Sequence, residues 1–202
     1  MSKKAKPKPE VHEYQAEMQK LLEILVHSLY TEREIFLREL VSNASDALSK
    51  VQLTTLTEEK VLDKDTELQI TISLDEEERK IVIEDSGCGM TKEELVENLG
   101  TIANSGTLKY LEQLKTENKS AENLIGQFGV GFYSVFMVAD RVELTTRSWQ
   151  EDAKAWQWSS EGGGQYEIIP VDFKQRGTRV TVFLKEDAKE FCSEWRLESI
   201  IK

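Results

Sequence analysis

The segment from Thr31 to Lys50 constrains the fold of this chain more than any other part of the sequence. Thr31, followed three residues later by Glu34, has the spacing of a capping box, which predicts that a helix begins here. Because an α-helix turns by about 100° per residue, the segment divides into a broad apolar face and a narrow polar stripe. The apolar face is formed by Phe36, Leu37, Leu40, Val41, Ala44, Ala47, Leu48 and Val51. The polar stripe consists of Glu39, Asn43, Asp46 and Lys50.

The polar stripe has two interpretations. As the edge of an ordinary amphipathic helix, it would be solvated and would contain one ion pair between Asp46 and Lys50. Alternatively, it faces a cleft, where Glu39 could polarise a water molecule and Asn43 could offer a carbonyl oxygen to a hard cation such as magnesium. The helix alone does not decide between these interpretations. The choice depends on whether the rest of the chain contains ligand-binding motifs.

Charge and cysteine content limit the partners and the compartment. The net charge of the 202 residues is −11, which disfavours non-specific binding to nucleic acid or anionic membranes. Two cysteines are too few for a disulfide framework and favour a reducing compartment. The sequence contains no run of about 18 apolar residues, and no apolar run follows the basic N-terminus as it would in a secretory signal. We therefore predict a cytoplasmic protein.

The order of the predicted elements indicates an α+β fold. Residues 1–10 are predicted to be a disordered basic tail, and residues 11–202 form one domain. Helices are predicted at 18–30, 31–50, 91–99 and 132–138, and residues 51–65 are predicted to be loop with a short helical turn. Strands are predicted at 67–74, 80–84, 141–147, 154–160, 165–169 and 178–184. This order predicts that helices pack on one face of a largely antiparallel sheet. The helix predicted at 195–202 is cut off midway, so we expect the chain to be a fragment of a longer protein.

Two glycine-containing segments carry candidate chemistry. Asp85-Ser-Gly-Cys-Gly-Met90 ends a strand with a carboxylate, and its glycines let the backbone approach a ligand closely. Asp85 could accept a hydrogen bond from an exocyclic amine such as that of adenine, although the segment could also be an ordinary turn. The second segment, Gly126 to Ser134, could form an anion site of backbone N–H groups or a flexible hinge. It lacks the Gly-Lys-Ser/Thr of a P-loop and does not open a βαβ unit.

These motifs, in this order, resemble the four motifs of the GHKL ATPase superfamily. That superfamily covers type II topoisomerases, mismatch-repair ATPases, sensor histidine kinases and heat shock protein 90 chaperones. The matching motifs are Glu39…Asn43, Asp85-x-Gly-x-Gly89, Gly126-x-x-Gly-x-Gly131 and Gly177-Thr178. Three segments are similar in sequence to the heat shock protein 90 N-terminal domain in particular: Glu34 to Leu48, Asn98-Leu-Gly-Thr-Ile-Ala103 and Gly126 to Ser134. The resemblance implies a two-layer α/β sandwich of the Bergerat type, in which helices and a curved, mostly antiparallel mixed sheet enclose ATP.

The resemblance also implies roles for individual residues. Glu39 would be the general base, and Asn43 would hold magnesium bound to the phosphates. Asp85 would bind the adenine amino group, helped by Gly89 and by Thr178 through water. The other implied nucleotide contacts are Asp46, Lys50, Met90, Asn98, Asn104, Gly129, Val130, Gly131 and Phe132, and residues at about 100–131 would form a lid.

Two positions depart from the family pattern. Asn104 stands where a basic residue is usual, which puts a phosphate or ribose contact there in doubt. Cys88 stands where an aliphatic residue is usual, and it would either pack as a small hydrophobe or present a reactive thiol beside the pocket.

The function implied by the resemblance is that of the ATP- and ADP-binding domain of a magnesium-dependent chaperone ATPase. Its full-length form would be a homodimer whose partners are client proteins and co-chaperones. Hydrolysis by the fragment, expected to be a monomer, would be slow because the family's γ-phosphate arginine comes from the following domain. The alternatives are the ATPase domain of a DNA-acting enzyme or histidine kinase, and a pseudo-enzyme that binds nucleotide as a structural ligand. The acidic charge disfavours DNA, and neither His12 nor His27 has a phosphoacceptor context.

Overall fold

The structure, a computed structural model, describes residues 8–13, 33–100 and 131–202. Within these ranges it contains seven strands, three α-helices and two 3₁₀ helices. The strands are β1 (Glu10–Glu13), β2 (Ile70–Asp75), β3 (Lys80–Asp85), β4 (Ala139–Arg147), β5 (Ala155–Ser160), β6 (Gln165–Val171) and β7 (Gly177–Leu184). The helices are α1 (Ile35–Thr57), α2 (Lys92–Gly100) and α3 (Glu194–Ile201), with 3₁₀ helices at Gly131–Met137 and Glu186–Phe191.

The strands form one sheet in the order β1-β6-β5-β4-β7-β3-β2. All six pairings between the described strands are antiparallel. The hairpin predicted around residues 75–79 is confirmed as the β2–β3 pair. Together with helix α1, which packs against β3 and the first 3₁₀ helix, the sheet confirms the predicted α+β sandwich.

Helix α1 follows the predicted pattern in its middle but not at its ends. Its buried residues are Ile35, Phe36, Leu37, Leu40, Ala44 and Val51, which belong to the predicted apolar face or adjoin it. The helix begins at Ile35 rather than Thr31, which lies outside the described residues, and no side chain caps it at Glu34. It also continues to Thr57, so the prediction of a loop from residue 51 was wrong.

The threonines near the end of α1 explain that error. Threonine is a weak helix former, and a run of threonines favours a loop by propensity. Here the hydroxyl of Thr54 donates to the Lys50 carbonyl at 2.9 Å, and that of Thr55 donates to the Gln52 carbonyl at 2.8 Å. Burial of Val51 holds this part of the helix against the sheet side, and the back-bonds satisfy the threonine hydroxyls within the helix.

Two other predicted helices are present. The Thr91–Glu94 capping box is confirmed, because the Thr91 N–H donates to Oε2 of Glu94 at 2.7 Å and the Glu94 N–H donates to Oγ1 of Thr91 at 3.2 Å. The apolar helix predicted at 132–138 is a 3₁₀ helix at Gly131–Met137, and all seven of its residues are buried. The helix predicted at 18–30 and almost all of the lid at about 100–131 lie outside the described residues.

Alternation along the strands determines which side chains reach the helix-covered face. In β3 the buried positions are Ile81, Ile83 and Asp85, and in β7 they include Val180 and Val182. Ile83, Val180 and Leu144 are partners in register across β3, β7 and β4, so they form one apolar row in the core. None of the helices in the described ranges combines the length and the apolar character that crossing a bilayer requires.

Candidate functional site

A row of three polar residues crosses the sheet next to the apolar row of the core. Asp85 ends β3 and pairs with Thr178 of β7, which in turn pairs with Thr146 of β4. Each lies two residues along its strand from the core row and therefore points to the same face. All three are buried: Asp85 is 7% exposed, Thr178 8% and Thr146 0%. We call Asp85, Thr178 and Thr146 the polar row.

Hydrogen bonds fix the two hydroxyl groups of the polar row. The N–H of Met90 donates to Oγ1 of Thr146 at 2.9 Å, and Thr146 Oγ1 lies 3.1 Å from the Gly177 carbonyl and 3.1 Å from Oγ1 of Thr178. Since a hydroxyl has one proton, Thr146 donates to Gly177 when it accepts from Thr178. The network therefore ties the turn after β3 to the ends of β4 and β7.

The carboxylate of Asp85 lies in a mainly desolvated environment. Its Oδ1 accepts the N–H of Gly87 at 2.8 Å. Burial raises the pKa of Asp85 to about 6, although backbone hydrogen bonds from Gly87 and Thr178 favour the ionised form. At neutral pH the group is therefore mostly a buried anion with acceptor capacity for a further donor.

Close packing surrounds the turn that follows Asp85. Gly89 has a φ of 58°, and a Cβ at this position would overlap the carbonyl of Arg147. A Cβ on Gly87 would come within 2.6 Å of the Cβ of Ala47, and the Cys88 N–H donates to the Ala47 carbonyl at 3.1 Å. The turn is therefore attached directly to helix α1.

The second part of the site lies toward the N-terminal end of the same helix. The carboxylate of Glu39 contacts the backbone of Gly131 so closely that a Cβ on Gly131 would overlap Oε2 of Glu39. Partial burial raises the pKa of Glu39. This contact brings Glu39, for which the resemblance implies the role of general base, to the end of the glycine-rich segment.

Helix α1 connects the two parts. Ala47 and Glu39 are eight residues apart, which corresponds to about 12 Å along the helix axis. Asn43 lies between them, one helical turn from each, and it is exposed, as are Asp46 and Lys50. The stripe thus runs between a buried carboxylate at one end and a partly buried one at the other.

Apolar residues adjoin both parts of the site. Phe132 is 9% exposed and packs edge-on against Trp158 at 5.6 Å between ring centroids. Met90 is half-buried, and Nδ2 of the exposed Asn98 lies 3.6 Å from its sulfur. Of the predicted site residues, Asn104, Gly129 and Val130 lie outside the described residues.

Sequence reasoning missed two buried residues of the site. Thr146 could have been found, because the alternation Val142, Leu144, Thr146 places it on the inner face of β4. Arg176 gave no such signal, since an arginine before a glycine is ordinary in an exposed turn, yet it is only 2% exposed. As for the alternatives for Cys88, the thiol is half-buried and burial raises its pKa, which favours packing over reactivity.

The described residues contain no group of three or more His, Cys, Asp and Glu side chains arranged to hold a metal ion. A magnesium ion bound at Asn43 would therefore need other oxygen ligands, which phosphate groups and water can supply.

Comparison with known proteins identifies the family. The family described as histidine kinase-, DNA gyrase B-, and HSP90-like ATPase matches residues 30–187. The chain is 55% identical over 191 residues to the chaperone protein HtpG of Chlorobium chlorochromatii, a match that covers 94% of this chain and 30% of that protein. It is 54% identical over 194 residues to HtpG of Chlorobaculum tepidum, covering 94% and 31%, and 51% identical over 191 residues to that of Wolinella succinogenes, covering 95% and 31%.

The chain thus spans about a third of the length of these relatives. The family match, the relatives and the fold together confirm the resemblance to the heat shock protein 90 N-terminal domain. The chain belongs to the histidine kinase-, DNA gyrase B- and HSP90-like ATPase family.

Proposed function

We propose that this chain binds ATP and ADP, with the adenine base against the polar row and the phosphates toward Glu39 and Gly131. The observation that carries the proposal is the buried carboxylate of Asp85, which accepts hydrogen bonds from the backbone N–H groups of Gly87 and Thr178 and retains acceptor capacity on the helix-covered face. An amino group of adenine supplies such a donor. Guanine presents a carbonyl oxygen at the equivalent position, so this arrangement disfavours it.

The remaining predicted residues fit around a nucleotide in this orientation. Met90 and Phe132 offer apolar surfaces for base and sugar, while Gly89 and Thr178 assist Asp85. Asp46, Lys50 and Asn98 supply the remaining polar contacts to the nucleotide. Asn104, Gly129 and Val130 are assigned to the phosphate side on the sequence resemblance alone, as is a lid at about residues 100–131.

Hydrolysis in this proposal depends on Glu39 and Asn43. Glu39 acts as the general base that orients the attacking water, and its raised pKa makes it a stronger base than an exposed glutamate. Asn43 would contribute one oxygen ligand to a magnesium ion, and such an ion would neutralise charge on the phosphates. The residues fit such an ion only together with phosphate oxygens.

We further propose that the full-length protein is a cytoplasmic, homodimeric, ATP-driven chaperone of the stress response that acts on client proteins and has no nucleic-acid or membrane ligand. The support is the likeness to relatives named as chaperones. We propose that hydrolysis by this chain alone is slow, because the resemblance implies that the arginine for the γ-phosphate comes from a following domain. DNA-stimulated turnover would instead favour the rival function of a DNA-acting ATPase.

Calorimetric titration with ADP and ATP, with and without magnesium, tests the nucleotide site. We expect saturable binding by the wild type and no measurable binding by Asp85→Asn, because the amide places a donor where the adenine amino group needs an acceptor. Glu84→Gln is the matched control, since Glu84 lies on the other face of β3 and pairs with Arg179 at 2.7 Å. Equal binding by the wild type and Asp85→Asn would refute the assignment.

A further inference from the structure

Arg176 is a buried cation beside the polar row whose contacts are made mainly to backbone carbonyls. Its Nη1 donates to the Gly87 carbonyl at 3.1 Å, and its Nη2 donates to the Asp63 carbonyl at 3.3 Å. Its own backbone N–H donates to Oδ2 of Asp63 at 3.3 Å. One guanidinium therefore bridges the turn after β3 and the segment after helix α1.

The bond to Gly87 completes the hydrogen bonding of the turn that carries Asp85. The Gly87 N–H donates to the Asp85 carboxylate, while the following peptide has its carbonyl bonded to Arg176 and its N–H bonded to Ala47. The peptide after Gly87 is thus held at both ends, by an arginine on one side and by helix α1 on the other. A shift of this peptide would move the N–H that orients the carboxylate.

The position of Arg176 in the chain strengthens this link. It directly precedes Gly177 and Thr178, and Thr178 is the cross-strand partner of Asp85. A Cβ on Gly177 would overlap the backbone carbonyl of Asp85, so the two strands meet without space between them. Arg176 is therefore linked to the Asp85 turn both through its side chain and through strand β7, which begins at the next residue.

The charge of Arg176 acts on the same carboxylate. The charged or titratable groups that interact electrostatically with Asp85 are Glu84, Arg176 and Cys88. Arg176 is the cation among them, and it favours the ionised carboxylate, whereas Glu84 opposes it. Asp63 accompanies Arg176, and Lys50 acts on Cys88 from helix α1.

Burying this arginine is costly, since its Nε is buried and has no hydrogen-bond partner. An apolar side chain of similar length would avoid the desolvation of a charge. A role in the site accounts for the arginine better than stability does.

We propose that Arg176 is a positioning residue for base recognition: it holds the Gly87 peptide and keeps a positive charge near Asp85, so that the carboxylate stays oriented and ionised for a purine amino group. The inference rests on the proposed adenine site. A guanidinium suits this role because its planar fork donates to two carbonyls at once while it stays charged, whereas the ammonium of lysine retains only the charge.

The test is ADP binding followed calorimetrically from about pH 5 to about pH 8 in the wild type, Arg176→Met and Arg176→Lys. For Arg176→Met we expect affinity at neutral pH to fall about tenfold, from loss of a charge-assisted hydrogen bond. The pH at which affinity is lost on acidification should also rise by about half a pH unit or more. Arg176→Lys should keep the wild-type pH dependence while its affinity falls.

The control is Arg179→Met, which removes an exposed arginine paired with Glu84 and should leave the pH dependence unchanged. Thermal unfolding establishes which variants are folded. A folded Arg176→Met with the wild-type affinity and pH dependence would overturn the inference.

If Arg176→Met does not fold, Arg176→Lys decides, and wild-type affinity in that variant would overturn the inference. No ADP binding by the wild type at any pH would instead overturn the proposed adenine site, and this inference with it.

Discussion

Replacing Asp85 with asparagine is expected to stabilise the nucleotide-free protein at neutral pH and to lose that advantage in acid. The pKa of Asp85 is about 6 in the folded protein against an ordinary value of 3.8. For an acid whose pKa is raised on folding, ionisation is destabilising. The penalty is absent below the unfolded value and complete above the folded one. The contribution of Asp85 to the free energy of unfolding should therefore become more unfavourable as the pH rises from about 4 to about 6.

The magnitude follows from the difference between the two pKa values. At about 1.4 kcal/mol per pH unit, the penalty reaches about 3 kcal/mol once the carboxylate is ionised in both states. Asparagine has nearly the same shape and no charge, so it removes this penalty. Any constant effect of the substitution cancels when the two proteins are compared at two pH values.

The assay is urea unfolding followed by tryptophan fluorescence, without nucleotide, at about pH 4 and about pH 7.5. The free-energy difference between Asp85→Asn and the wild type should be about 2 kcal/mol larger at the higher pH, since part of the penalty already exists at the lower one. Glu84→Gln controls for the loss of one negative charge from β3. A difference between Asp85→Asn and the wild type that is the same at both pH values would refute the assignment of a buried, destabilising carboxylate.

Three further substitutions test separate parts of the site. Glu39→Ala should reduce ATP hydrolysis by the full-length protein about 100-fold while ADP binding survives, and unchanged hydrolysis would exclude Glu39 as the base. Gly131→Ala should reduce hydrolysis in the same assay because its Cβ displaces the Glu39 carboxylate, and its effect should not add to that of Glu39→Ala. Thr146→Val should lower the free energy of unfolding, measured in urea, by about 1–3 kcal/mol, because the Met90 N–H and Thr178 lose a buried partner. Thr146→Ser keeps the hydroxyl and should retain most of the wild-type stability.

Local features of the fold could be predicted from the sequence because they depend on neighbouring residues. The capping box of α2 needs only Thr91 and Glu94, and the buried face of α1 follows from helical periodicity. The β2–β3 hairpin follows from alternation on either side of a charged turn. The end of α1 could not be predicted in this way, because burial of Val51 outweighs the low helix propensity of the segment.

The sequence motifs of the candidate site could be identified in advance, but not the way in which residues from different strands come together there. The resemblance implied roles for Asp85 and Thr178, because each stands in one of its motifs. Thr146 and Arg176 stand in none, and they enter the site through strand order and a long side chain. Resemblance supplied the roles of Glu39 and Asn43, which periodicity alone left open between a solvated edge and a cleft.

By itself, the sequence determined the faces of its helices and strands, since periodicity and capping act over a few residues. Only the tertiary structure decided that β4, β7 and β3 lie side by side, so that residues far apart in the chain form one polar row. It also decided that Glu39 meets Gly131 and that Arg176 is buried against Gly87. These contacts depend on which surfaces pack together, and that is settled by burial of the whole core rather than by any local pattern.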